Sequence, residues 1–483
     1  MASDFSGLLK TKAFLGGQWV GAETGDVFDV ANPADSEKIG SVPDMGRADA
    51  LRAVAFAQEA FPAWKAQTGK ERAAVLHKWF ELIRAHAENL ARLLTLEQGK
   101  PLAESRAEVL GGAALVEWFS EEAKRVYGDF VPAHKRDARI IVSREAVGVV
   151  GAITPWNFPS AMIARKVSPA LAAGCTVVLK PAEDTPFSAL ALAALAQEAG
   201  FPAGIFNVVT ASLKNTPEIG DVLTEDRRIK KISFTGSTAV GKLLMEKAAP
   251  QIKKLSLELG GNAPFIVFPS ADLAQSLDGA MACKFRNAGQ ACTSANRIYV
   301  HASLYDEFSG KLVERVKDLC VGKGDQQGTT IGPLINEEAV RKVEGLVSEA
   351  LAQGAKLETG GDRCGLGYAP TVLTGMKDTM RIAREEVFGP VAALFSFEEE
   401  EDVIHRANDT EYGLASYIYS RDYSQIWRVS DALEYGMVAV NEPLLATELA
   451  PFGGIKESGI GREGGNMGLE EFTDVKYRLF GGV

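Results

Sequence analysis

Across its 483 residues the chain has no basic run and no stripe of interleaved basic and aromatic residues, and its formal net charge is −11. That balance excludes nucleic acid and anionic membrane surfaces as partners, because like charge repels them. A local arginine pair can still hold a small acidic substrate. Cysteine is scarce: the five, at positions 175, 283, 292, 320 and 364, are odd in number and never spaced as CxxC. A disulfide framework and a zinc site are therefore excluded, and a reducing cytoplasm is the expected location. The five histidines stand apart from one another, so no metal is expected. No uninterrupted apolar run approaches the ~20 residues of a membrane span. Met1 to Gly17 lacks the apolar centre of a signal peptide, so no secretory leader is expected.

What the chain does have is length and alternation. One apolar core stops growing well before 483 residues, which predicts two or three domains. The opening reads as a strand pair, Ala13–Val20 with Val27–Val30, then long amphipathic helices from Arg47 to Lys124. From Ala146, apolar strands alternate with helices. The strands are Val147–Ile153, Thr176–Lys180, Ile205–Val209, Lys231–Thr235 and Lys254–Leu259; Ser160–Ala173, Phe187–Ala199 and Thr238–Ala249 are helices between them. This alternation implies right-handed βαβ crossovers and a parallel, doubly wound sheet, with ligands beyond the carboxyl ends of its strands. After Gly261 a second α/β pattern runs to about Asn441. Val131–Arg144 and Asp474–Leu479 are β-like and lack a core of their own, which predicts an arm pairing with another subunit.

Two glycine patterns invite a wrong reading. Gly459–Gly464 is a literal GxGxxG, but it follows a glycine-rich loop and leaves too little chain for the rest of a βαβ unit. Gly236–Leu243 is one residue short of a P-loop, because Leu243 stands where Ser or Thr would hold magnesium. Its strand, Gly-Ser turn and helix either offer backbone N–H groups to a pyrophosphate or form a plain connection.

Three segments can carry chemistry. Cys292 alone among the cysteines sits in a loop of small and polar residues, where a thiol can be both accessible and ionised. In Leu255–Gly261, period-two alternation puts Ser256 and Glu258 on the face opposite the leucines. Glu258 then ends a strand beside the ligand crevice, as a general base or as a carboxylate reaching solvent. Thr154–Pro159 ends the first strand of the sheet, and its two prolines fix the backbone around Asn157. That amide can donate to an oxyanion, or the segment is simply a rigid turn.

The chain resembles the aldehyde dehydrogenase superfamily. The likeness is carried in order by Pro155-Trp156-Asn157-Phe158-Pro159, Phe234-Thr235-Gly236-Ser237, Leu257-Glu258-Leu259-Gly260-Gly261, Gly289-Gln290-Ala291-Cys292, Glu385-Glu386-Val387-Phe388-Gly389-Pro390 and Pro451-Phe452-Gly453-Gly454. The resemblance implies an α/β fold of two doubly wound domains, one cofactor-binding and one catalytic, plus a small β oligomerisation arm. Residues 1–126 and 146–256 would bind NAD(P), and 257–441 would form the catalytic domain. Residues 442–472 would return to the active-site entrance, and 127–145 with 473–483 would form the arm of a homodimer or homotetramer. It further implies that Cys292 attacks the aldehyde and that Asn157, with the Cys292 backbone N–H, holds the oxyanion. Glu258 would activate the water that hydrolyses the resulting thioester. Glu386 would hold the nicotinamide ribose, with Phe388 near the ring and Gly236 and Ser237 at the pyrophosphate. Thr154, Pro155, Trp156, Lys180, Glu183 and Gly260 complete the expected cofactor contacts. A carboxylate at Glu183 suits the ribose 2′-hydroxyl and repels a 2′-phosphate, so NAD is expected over NADP.

Within the superfamily the likeness is to succinate-semialdehyde dehydrogenases, through Thr95–Glu104, Lys284–Gln290 and Ala450–Lys456. There, two arginines matching Arg165 and Arg286 and a hydroxyl, best matched by Thr447, grip a distal carboxylate; arginine's planar fork suits that task. The chain departs from the group at Ser294, where some members carry a second cysteine, and in the loop Asn441–Leu449. Glutarate semialdehyde and sulfolactaldehyde therefore stay open as substrates. A coenzyme A-acylating activity is disfavoured by Glu258, which that group typically lacks.

Overall fold

The computed structural model describes Phe5 and residues 7–483. Five parallel strands, Val149–Ile153, Thr176–Lys180, Phe206–Val208, Ile229–Thr235 and Lys254–Glu258, form the centre of an eight-stranded sheet. Counted along the chain they lie in the order third, second, first, fourth, fifth. The order reverses beside Val149–Ile153, and at that switch the two outgoing connections part and leave a crevice beyond the strand ends. Helices cover both faces, which is why the strands are apolar throughout. Alternate residues divide between the two faces: Val150, Val177 and Leu179 join one core, and Val149, Val178 and Ile232 the other. The GxGxxG segment supplies an edge, with Gly459–Ile460 antiparallel to Leu257 and Glu258.

The second sheet has seven strands. In order they are Lys356–Thr359, Thr371–Thr374, Val391–Phe397, Ala295–His301, Ala263–Val267, Ala415–Tyr419 and Met437–Val440. All pairings are parallel except at the first strand, and one core surrounds the sheet. Ala263–Val267 is buried at every position. A strand wetted on neither face shows no alternation, so its period is invisible in the sequence.

The expected pairing of Ala13–Val20 with Val27–Val30 does not form. Ala13–Leu15 turns back on Gln18–Val20, and Val27–Ala31 pairs with Lys38–Pro43. Gly16 and Gly17, at φ of 59° and 80°, make the two-residue left-handed turn that closes such a hairpin. The two arm segments pair with each other: Thr473–Gly481 runs antiparallel to Ala138–Ala146, which also pairs with Asp129–Val131. Thr473–Gly481 and Asp129–Val131 are the two edges of this three-stranded sheet and pair on one side only, and Phe130, Val475 and Tyr477 remain exposed on it. Among the described residues no helix is long and apolar enough to cross a membrane.

Candidate active site

Cys292 lies between the helix Leu273–Phe285 and the strand Ala295–His301. On the way, Asn287, Ala288 and Gly289 take φ of 51°, 53° and 72°, a left-handed run that neither helix nor strand can continue. A Cβ on Gly289 would lie 2.1 Å from the Gly389 carbonyl oxygen, and one on Gly261 would lie 2.4 Å from that of Cys292. Both glycines thus let neighbouring backbone close on the cysteine loop. Asn287 Nδ2 donates to the carbonyls of Asn157 at 3.0 Å and Gln290 at 3.1 Å, which ties this loop to Thr154–Phe158. Asn157 Nδ2 also donates to the Gln290 carbonyl, at 3.0 Å. An amide nitrogen has two hydrogens, so one N–H of Asn157 remains for the cavity it lines together with Cys292.

Glu258 ends its strand buried, and neither carboxylate oxygen has a hydrogen-bond partner. Burial pushes its pKa well above the ordinary carboxylate range and the charge of Glu463 adds to the effect, against Lys166, Arg165 and Arg462. Lys166 Nζ donates to Glu463 Oε1 at 2.5 Å. The Cys292 thiol is pushed up to about 12, chiefly by burial, then by Glu386 and Glu258, with Arg165 and Arg286 opposing. In the ligand-free chain Cys292 is therefore a protonated thiol, and the Glu258 carboxyl binds its proton more tightly than an ordinary glutamate.

A cavity of about 480 Å³ opens at the switch point, bounded by Pro155 and Trp156 on one side and Gly236, Ser237 and Gly260 on the other. Ser237 caps the helix Thr238–Ala248, its Oγ accepting from Val240 N at 3.4 Å. Glu386 Oε1 accepts from Gly261 N at 3.1 Å, and burial raises that carboxyl to about 7. Phe388 has φ of 54°, a strained conformation for an aromatic residue, and meets Trp156 edge-on with ring centres 5.6 Å apart. The buried hydroxyls of Thr154 and Thr235 lack partners. Lys180 and Glu183 stand apart from this lining; they pair with each other at 3.0 Å beyond the adjacent strand. A helix N-terminus, unpartnered hydroxyls and a carboxylate past the second strand fit a dinucleotide, with pyrophosphate at Ser237 and ribose at Glu183.

Cys292 also lines a second cavity of about 240 Å³, with Arg165, Arg286, Thr447 and Glu448. Arg165 is 4% exposed, yet its Nε and Nη1 have no partner. Its guanidinium stacks over Phe452 at 4.5 Å, and that of Arg286 lies over Phe158 at 5.2 Å. Buried N–H groups without an acceptor are costly, and those of Arg165 are free to donate to a ligand in this cavity. Thr447 is turned into its own loop: its hydroxyl lies 3.4 Å from Glu448 Oε2 and accepts from Leu449 N at 3.3 Å.

Sequence reasoning did not single out Lys166, Glu463, Asn287, Lys100 or Glu448 for any role. Lys166 reads locally as a solvated helix lysine, and Glu463 lies inside the GxGxxG decoy. No periodicity marks either as buried. Asn287 sits in the quoted Lys284–Gln290 motif, where the tolerance of asparagine for a left-handed φ was the available signal.

The aldehyde dehydrogenase family profile matches residues 19–477. The 3-sulfolactaldehyde dehydrogenase of Pseudomonas putida is 55% identical over 479 residues, covering 99% of this chain and 98% of that one. The NADP-dependent succinate-semialdehyde dehydrogenase of Escherichia coli K12 is 53% identical over 479 residues, covering 99% of each. The crystal structure of succinate-semialdehyde dehydrogenase from Burkholderia pseudomallei superposes with a TM-score of 0.96 at 53% identity, covering 98% of each chain. With this fold, and with a cysteine, a buried carboxylate and a dinucleotide crevice brought together, the chain belongs to the aldehyde dehydrogenase family and is an NAD(P)-dependent oxidoreductase.

Proposed function

We propose that the enzyme oxidises a small anionic aldehyde, succinate semialdehyde first, to its carboxylic acid, with NAD preferred to NADP. The observation that carries this is Arg165, a buried guanidinium with two unpartnered nitrogens in the cavity that Cys292 lines. In this reading Arg165 and Arg286 hold the distal carboxylate, and Thr447 joins them once its hydroxyl leaves Glu448. The Cys292 thiol passes its proton to Glu258 as the sulfur attacks the carbonyl carbon, and Glu258 returns that proton to solvent before its second task. Asn157, through its remaining N–H, and the Cys292 backbone N–H hold the oxygen as it becomes negative. The dinucleotide, when bound, supplies the hydride acceptor; Glu386, Gly236, Ser237 and Glu183 hold it, with Phe388 and Trp156 against the ring. Glu258 takes a proton from the water that opens the Cys292 thioester, a role its raised pKa suits.

The carboxylate of Glu183 supports the NAD preference, by occupying the place a 2′-phosphate would need. Residues 1–126 and 146–256 carry most of the cofactor sheet, whose last parallel strand runs two residues past the expected boundary to Glu258; the catalytic sheet follows within 257–441, while 442–472 returns over the entrance and adds the edge Gly459–Ile460 to the first sheet. The exposed apolar residues of 127–145 and 473–483 support a homo-oligomer, dimer or tetramer. Five unpaired cysteines support a cytoplasmic location. The name of the Pseudomonas relative supports 3-sulfolactaldehyde as the second substrate reading, since a sulfonate carries the same charge as a carboxylate.

Initial rates with succinate semialdehyde, butanal and sulfolactaldehyde, each with NAD and NADP, test the proposal. A kcat/KM for succinate semialdehyde at least a hundredfold above butanal corresponds to roughly 2.7 kcal/mol of carboxylate recognition. Equal rates with butanal would remove the anion reading and leave an unspecialised aldehyde dehydrogenase.

A further inference from the structure

The Lys100 side chain is 0% exposed. Its Nζ donates to Glu108 Oε2 at 2.6 Å and to the Asn157 carbonyl oxygen at 2.6 Å, and it lies 4.0 Å from the centre of the Phe158 ring. The second Glu108 oxygen accepts from the backbone N–H groups of Ser160 at 2.9 Å and Ala161 at 3.2 Å. These open the helix Pro159–Ala173. One buried ion pair therefore fastens both the carbonyl of Asn157 and the backbone just beyond Phe158.

Asn157 is held at two ends. Lys100 and Asn287 hold its carbonyl, and the Gln290 carbonyl takes one side-chain hydrogen. The direction of the other side-chain hydrogen follows from those anchors. An oxyanion donor acts only when aimed at where charge develops, at about 2.7–3.1 Å from that oxygen, and it gains most when nothing must move during the reaction. A buried ion pair is a poor source of stability, because desolvation offsets its attraction. It is a good source of fixed geometry.

From this arrangement we propose that Lys100, braced by Glu108, is a positioning residue that aims the Asn157 amide at the oxygen of the aldehyde attacked by Cys292. The proposal rests on the reading of Asn157 as an oxyanion donor. Lys100 touches neither substrate nor cofactor in it; it acts through the Asn157 backbone.

The test is a double-mutant cycle on the full-length enzyme. K100M fills similar volume but donates no hydrogen bond, and E108Q in the same protein avoids leaving a buried carboxylate unpaired. The pair is expected to lower kcat by roughly 10- to 100-fold, the scale of a slight misplacement. KM for NAD and for aldehyde should stay within about threefold. In an N157A background the same pair should cost nothing further, since the donor that it aims is already gone. The proposal is overturned if K100M/E108Q keeps kcat within about threefold of the parent, or if its loss multiplies with that of N157A. Should the double variant fail to fold, E108Q alone carries the test: it loosens Lys100, and its smaller loss of kcat should likewise vanish in the N157A background. A loss that instead multiplies overturns the proposal. If N157A alone retains full activity, the oxyanion reading falls; if N157A is impaired and K100M/E108Q is not, only the role of Lys100 falls.

Discussion

Lys166 Nζ and Glu463 Oε1 meet at 2.5 Å across 297 positions of sequence, with side chains 0% and 4% exposed. The other Glu463 oxygen has no partner, and its charge raises the Glu258 carboxyl while Lys166 lowers it. The basicity of Glu258, raised chiefly by burial, is thus adjusted by a pair that it does not bond.

That balance fixes a pH dependence. Glu258 acts as a base only when ionised, so the rate rises as pH passes through its pKa. A raised pKa puts that limb well above the ordinary ~4.3 of a glutamate. E463Q removes a repelling charge and should move the limb to lower pH; K166M removes an attracting one and should move it to higher pH. Profiles of kcat against pH check this, and shifts in the same direction for both variants would refute it.

Arg165 should matter for anions alone. R165M is expected to cut kcat/KM for succinate semialdehyde by about 100-fold, near 2.7 kcal/mol, while butanal changes by less than about threefold. A parallel loss on both aldehydes would mean that the residue supports the fold and holds no carboxylate.

The Cys292 thiol, pushed up to about 12, should react slowly in the ligand-free enzyme. Its alkylation by iodoacetamide, followed on the Cys292 peptide by mass spectrometry, should rise with pH and show no plateau below pH ~10, because only the thiolate reacts. A plateau near neutrality would show an activated thiol before any ligand binds.

Glu183 should discriminate between the cofactors. E183S frees Lys180 from its 3.0 Å partner and removes the charge opposing a 2′-phosphate. The ratio of kcat/KM for NADP to that for NAD should rise at least about tenfold, or ~1.4 kcal/mol. An unchanged ratio would place the ribose elsewhere.

The arm face supplies a last measurement. Tyr477 is 57% and Leu479 47% exposed, on an edge strand paired on one side within the chain. Y477E/L479E should lower the sedimenting mass while thermal unfolding of the chain shifts little. An unchanged mass would remove the arm from assembly.

Much of the cofactor half was legible because its physics is local. Thr176–Lys180 was bounded by composition alone, and the helix end at Gly174, with φ of 95°, follows from glycine's freedom there. The motifs named Cys292, Glu258 and Asn157 through resemblance, and the structure brings Cys292 and Asn157 onto one cavity. The hairpins at the start were misjudged because Gly16-Gly17 acts over two residues, below the scale of a periodicity. Ala263–Val267 is as fully buried as Thr176–Lys180, and it escaped because Pro264 stands inside it and Gly260-Gly261-Asn262 just before, which together read as a loop.

The sequence by itself determined the alternation that builds two parallel sheets, the charge that excludes polyanionic partners, and the residue types able to act on an aldehyde. Only the tertiary structure decided their states. Lys100 meets Glu108 and Asn157, Lys166 meets Glu463, and Arg165 is left with two unpartnered nitrogens, because strands and helices far apart in the chain close around them. Burial then decides which of these charges is paired and which awaits a ligand. A pKa depends on what surrounds a group in space, and a one-dimensional pattern does not carry that information.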